Sequence, residues 1–254
     1  ADRSRNTQHG SPMIDFGNVN ARYLRTTILR TEYAGLNKAI WNIRVFDNAE
    51  YQPEAKTIIK KWTSLARFES KGLLIDLDLE GLRVGSTVKT IPNKGKLDGQ
   101  ISTLDSYEPV VSMIDGKKAL LFYGKERLVS SSLAPASLSG NSSYSVSMWV
   151  LNPEIADEET IVSWTRKGGN DLSNVGISYG KSKRAGAAAH LGWADLGYKQ
   201  LPKANTWHHI TMVFDGTMER IYVDGKLDRQ ERRMLFVNNL SRFFIGGNED
   251  GING

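Results

Sequence analysis

Residues 207–226 read Trp207-His-His-Ile-Thr-Met-Val-Phe-Asp-Gly-Thr-Met-Glu-Arg-Ile-Tyr-Val-Asp-Gly-Lys226. Thr206 to Phe214 and Met218 to Val223 are rich in β-branched and aromatic residues, and each run ends in Asp-Gly, at 215–216 and 224–225. Asp-Gly favours the positive backbone angles of tight hairpin turns, so the stretch predicts consecutive antiparallel strands. The pattern spreads outward. Val110 to Ile114 and Lys118 to Tyr123 flank Asp115-Gly116, and Tyr144 to Asn152, Thr160 to Trp164 and Arg242 to Ile245 supply further strands. Many short strands with no helices between them predict an all-β chain, an antiparallel β-sandwich or jelly roll rather than a parallel sheet.

Three zones divide the 254 residues. In residues 1–50, Arg22 to Leu29 and Ala39 to Phe46 predict a short N-terminal β-pair. Residues 51–71 form a linker with one predicted amphipathic helix over 53–70. Pro53 suits its first position, and Ile58, Ile59, Trp62, Leu65 and Ala66 recur at helical spacing. Residues 72–254 are the sandwich itself.

The net charge of +5 sits in the leading segment: residues 1–72 hold 12 Lys/Arg against 7 Asp/Glu, while 73–254 are balanced at 21 each. A scattered excess without a basic stripe argues against a nucleic-acid partner. No run approaches the roughly 20 apolar residues of a membrane span. The absence of cysteine excludes a disulfide framework and a thiolate nucleophile.

The strand motifs resemble a known family. Tyr144-Ser-Val-Ser-Met-Trp-Val150, Thr160-Ile-Val-Ser-Trp164, Trp207-His-His-Ile-Thr-Met-Val-Phe-Asp-Gly216, Ile221-Tyr-Val-Asp-Gly-Lys226 and Phe244-Ile-Gly-Gly247 together resemble the laminin-G-like jelly roll of the concanavalin A-like lectin/glucanase superfamily, over about residues 71–254. Residues 14–47 are similar to the closing strands of discoidin-like, galactose-binding-type sandwiches. Because a customary closing strand is missing after Gly247, the resemblance implies either a fragment of a longer protein or strands contributed by the N-terminal zone.

The resemblance implies a non-enzymatic recognition module on a secreted or cell-surface protein, with a glycan or a surface protein as partner. The alternative is an accessory subunit of a surface assembly, such as an outer-membrane nutrient-uptake complex. The candidate ligand site is Ala187 to Tyr198, where His190, Trp193, Asp195 and Tyr198 combine aromatic faces with polar groups, together with Trp164 and Arg166 of a neighbouring strand end. Trp149 and Trp207, inside alternating strands, are expected in the core. His208 and His209 are adjacent on one strand, so their rings point to opposite faces and cannot share a metal from one side. No cofactor is expected. Calcium at Asn248-Glu249-Asp250 or Asp195 is a minor, unassigned alternative.

A third reading is hydrolysis. Leu73-Leu-Ile-Asp-Leu-Asp-Leu-Glu-Gly81 alternates so strictly that it predicts a strand with Asp76, Asp78 and Glu80 on one face, their Cα atoms about 6.7 Å apart. Retaining glycosidases place two carboxyls about 5 to 5.5 Å apart. An apolar face opposite a solvated one explains the same alternation without catalysis.

Overall fold

The computed structural model describes residues 72–251. The predicted N-terminal β-pair, the linker helix and the discoidin-like segment lie outside these residues. Thirteen strands run β1 Thr90–Pro92, β2 Gln100–Thr103, β3 Val110–Ile114, β4 Lys117–Leu121, β5 Leu128–Leu133, β6 Tyr144–Leu151, β7 Thr160–Thr165, β8 Gly176–Ser178, β9 Ala188–Ala189, β10 Trp207–Phe214, β11 Met218–Val223, β12 Lys226–Arg232 and β13 Leu240–Ile245. They form a seven-stranded sheet in the order β1-β2-β5-β13-β7-β8-β9, a four-stranded sheet β12-β11-β10-β6 and a separate β3-β4 hairpin, with every pairing antiparallel. The all-β sandwich read from the turns and alternation is the fold observed.

Alternation decides what each strand buries. On β10 the even positions Ile210, Met212 and Phe214 are buried, and Met212 and Phe214 pack with Trp164, Phe243 and Ile221 in the main core. Trp164 meets Tyr144 edge to face at 5.0 Å between ring centres and Phe243 at 5.7 Å. A second core, built on Ile91, Ile101, Val111 and Leu128, receives Ile75, Leu77 and Leu79.

Residues 73–81 are not a strand. They run extended with a single bridge, Leu77 to Asn93. The reason lies in the opposing segment: Asn93 turns there, its Oδ1 accepting from the Asp76 N–H and its amide donating to the carbonyls of Leu74 and Leu97. Gly95 passes so close that a Cβ would lie 2.3 Å from the Leu74 carbonyl oxygen. Backbone N–H groups of Lys94, Lys96 and Leu97 donate to the carbonyls of Asp76, Leu73 and Leu74 at 2.8 to 3.0 Å, so the turn at Asn93 holds Ile75, Leu77 and Leu79 half-buried against the core without a regular ladder.

Truncating Phe214 to Ala removes a ring packed in the middle of the core. It should cost about 3 to 5 kcal/mol, measured as a shift in the urea unfolding midpoint at unchanged slope.

Candidate functional site

The six residues expected to form one ligand site separate in the structure. Trp164 is 1% exposed and packs in the core, and His190 is 0% exposed, so neither meets a ligand at the surface; this corrects the sequence reading of both. Tyr198 donates its hydroxyl to the Ser178 carbonyl at 3.0 Å, and burial pushes its pKa well above the ordinary tyrosine value. Asp195 Oδ1 accepts from the backbone N–H groups of His190 and Leu191 at 2.7 and 2.8 Å, so it shapes the turn. Arg166 is exposed and lies 3.4 Å from Glu249. Of the group, Trp193 stands out at 62% exposure, carried on a single 3-10 turn at Gly192–Ala194.

His190 belongs to a buried charged cluster. Its Nδ1 is 2.8 Å from the Asn174 carbonyl oxygen and its Nε2 is 2.7 Å from Glu219 Oε1. Both partners accept, so both ring nitrogens donate and the ring is an imidazolium. Burial opposes that charge, but the charge of Glu219 and the hydrogen bonds to Glu219 and Asn174 outweigh it, even against the nearby Arg233, and hold the pKa above its ordinary value. Glu219 Oε2 also faces Arg233 Nε at 3.5 Å.

The outer face of the four-stranded sheet offers a different arrangement. Trp149, expected in the core, is 57% exposed. On β6 the odd positions Ser145, Ser147 and Trp149 point outward, while Val146 and Met148 pack on the core. On β10 His209 and the nearly covered Thr211, 6% exposed, share that parity and pair in register with Trp149 and Ser147. The His209 ring packs on Trp149 at 5.2 Å, its Nε2 shares a hydrogen bond with Ser147 Oγ at 2.8 Å, and Ser147 Oγ is 3.2 Å from Thr211 Oγ1. Lys117, from the β3-β4 turn, places its Nζ 5.4 Å from the Trp149 ring centre. The result is an indole edged by an imidazole, two hydroxyls and an ammonium. The signal was present in the sequence: the parity of Tyr-Ser-Val-Ser-Met-Trp puts the tryptophan with the serines. His208 lies on the other face of the strand, 2.7 Å from Asp224 Oδ2 and 3.2 Å from the Lys203 carbonyl oxygen.

The acidic segment lines an open groove of Asp76, Asp78, Glu80, Lys94 and Lys118. Asp78 is bonded to Lys94 and accepts the Glu80 N–H at 2.8 Å, while Lys118 donates to the Glu80 and Leu82 carbonyls at 2.9 Å. The hydrogen bond from Lys94 lowers the pKa of Asp78, the opposite of what a general acid needs. The oxygens considered for calcium are engaged elsewhere. Arg127 donates to the Asn248 carbonyl at 3.0 Å, Asp250 Oδ2 accepts the Lys167 N–H at 2.7 Å, and Asn248 Oδ1 accepts the Asp250 N–H at 2.9 Å.

Two packed antiparallel sheets with these cores make the described residues a jelly-roll β-sandwich. Residues 129–254 match the family model of the concanavalin A-like lectin/glucanases superfamily. Among solved structures the chain is similar to domain 4 of AbnA, a GH43 extracellular arabinanase from Geobacillus stearothermophilus solved with arabinotriose, at 16% identity and a TM-score of 0.47, covering 66% of this chain and 89% of that one. It is also similar to a Bacillus licheniformis β-glucanase, at 18% identity and a TM-score of 0.26, covering 67% and 80%. A search of curated protein sequences found no match.

The His190 pKa is raised in the fold, so the stabilisation it brings is complete below the unfolded value near 6.5 and is lost as the pH climbs through the folded value. The urea midpoint should therefore fall as the pH rises above about 6.5, and a Glu219→Gln variant should lose both that dependence and about 3 to 5 kcal/mol, because it removes the buried counter-charge of His190.

Proposed function

We propose that this protein is a non-catalytic recognition module that binds a glycan on the outer face of its four-stranded sheet, with Trp149 as the stacking platform. The observation that carries the reading is the exposure of Trp149 on the edge strand of the four-stranded sheet, beside His209 and Ser147. Sugars present C–H surfaces that stack on aromatic faces and hydroxyls that need nearby donors and acceptors.

The non-catalytic part rests on the distribution of carboxylates. No strand of the seven-stranded sheet carries Asp or Glu: the runs are TIP, QIST, LVSSSL, TIVSWT, GIS, AA and LSRFFI. A glycosidase needs two carboxyls facing the scissile bond, one of them held protonated. The Asp76, Asp78 and Glu80 groove, with Asp78 held ionised by Lys94, argues against hydrolysis there.

A second reading has its own observation. Leu191 adopts φ +71°, a backbone conformation costly for a branched side chain, directly before the turn that presents Trp193. The neighbouring Phe236 is 51% exposed, and its N–H donates to the Leu172 carbonyl. That end of the sandwich suits a protein contact within a larger assembly.

One experiment separates the two. A broad glycan array probed with the parent chain, Trp149→Ala and Trp193→Ala should show binding that weakens at least about tenfold in Trp149→Ala, the loss expected of a central aromatic anchor, and persists in Trp193→Ala. The opposite pattern would move the site to the 190–198 segment. Silence on every glycan from a folded sample would favour the protein-contact reading.

A further inference from the structure

We infer that the ligand of the Trp149 face is an acidic glycan, one whose rings carry carboxylate or sulfate groups; the inference rests on the glycan reading of that face. Lys117 is exposed beside the Trp149 ring, and among the described residues no carboxylate pairs with it. Asp115, in the same β3-β4 turn, forms no ion pair with it; the ammonium lies against the indole instead.

Most acids of the four-stranded sheet are engaged in hydrogen bonds or ion pairs of their own. At its turns, Asp215 binds Arg220 at 2.7 Å and Asp224 binds His208 at 2.7 Å. On the strands, Glu219 is buried against His190, Glu231 binds Arg233 at 2.9 Å, and Asp228 accepts the N–H groups of Lys199 and Gln200 at 2.8 and 2.9 Å. The outward positions of β6 and β10 hold no acid at all. Among the described residues Lys117 is thus a cation that lies against the Trp149 ring with no ion-pair partner of its own.

A neutral sugar leaves that ammonium with the ring it already touches. A ring bearing a carboxylate or sulfate stacks its C–H face on Trp149, meets Ser147 and His209 with its hydroxyls, and brings Lys117 an anion. A charge-assisted hydrogen bond of this kind is about twice as strong as a neutral one.

The test titrates the full chain with three probes: oligogalacturonates, the same oligosaccharides with their carboxyls reduced to alcohols, and a sulfated oligosaccharide such as chondroitin sulfate. At least one acidic probe should bind about tenfold or more tighter than the reduced one. Lys117→Gln should erase that difference, and raising the salt from about 0.05 to about 0.5 M should narrow it. Which acidic probe wins tells carboxylate from sulfate. Equal binding of acidic and reduced probes, with Lys117→Gln silent, overturns the acidic-glycan inference while leaving the glycan reading intact. Acidic binding that survives in both Lys117→Gln and Trp149→Ala is surface electrostatics and overturns it too. No binding to any of the three, with no Trp149-dependent binding on the array, removes the glycan reading along with it.

Discussion

A single carboxylate in the apolar interior constrains how the two sheets meet. Glu219 sits on β11 of the four-stranded sheet with no solvent exposure and takes its hydrogen bond from His190, which follows β9 of the seven-stranded sheet. Burying an isolated carboxylate costs several kcal/mol, so the interior is tolerable only with both cations in place. The charges continue outward along β12: Arg233 faces Glu219 and binds Glu231, Glu231 binds Arg229, and Arg229 donates to the Gly197 carbonyl at 3.0 Å. The chain of alternating charge begins at His190 and ends at Gly197. The β11-β12 hairpin thus grips the 190–198 segment at both ends, and Asp228 holds the backbone just beyond it.

This clasp explains why the segment that looked most like a ligand site is chiefly architectural. His190, Asp195 and Tyr198 each spend polar atoms on hydrogen bonds inside the fold. A sequence shows that polar and aromatic residues lie close together in the chain. It does not show whether their polar atoms are already used, and here Glu219, Ser178 and two backbone N–H groups use them.

The sandwich was legible because Asp-Gly turns and two-residue alternation are local signals: Met218–Val223 falls on the residues read from sequence, and Tyr144–Leu151 and Trp207–Phe214 fall within one residue of them. The strands that escaped lack that signal. Leu128–Leu133 carries three serines, Gly176–Ser178 and Ala188–Ala189 are small and buried on both sides, and Lys226–Arg232 is charged because part of its inner face meets the Glu219 cluster. Residues 73–81 failed in the other direction. Their apolar side packs half-buried on the core, but the partner is the turn around Asn93, through its amide and the backbone of residues 94–97, and not a strand, which no local pattern records. Trp149 was misplaced by residue type alone: a tryptophan in a strand suggests core, whereas its parity with Ser145 and Ser147 puts it outside.

The two exposed tryptophans differ in what holds them. Trp193 rides a turn whose approach strains Leu191 at φ +71° and is secured by one carboxylate, Asp195, and by the grip on its flanks. Trp149 is fixed by a strand paired with β10 over the full length of both, with His209 packed on its ring. A rigid strand position loses little conformational freedom when a ligand settles on it, while a turn must keep its strained geometry against solvent at the same time. Carbohydrate binding gains little per contact, so a platform whose order is already supplied by the fold is the better one. On that ground the strand-borne Trp149, with the Lys117 ammonium against its ring, is the better pre-ordered of the two exposed indoles.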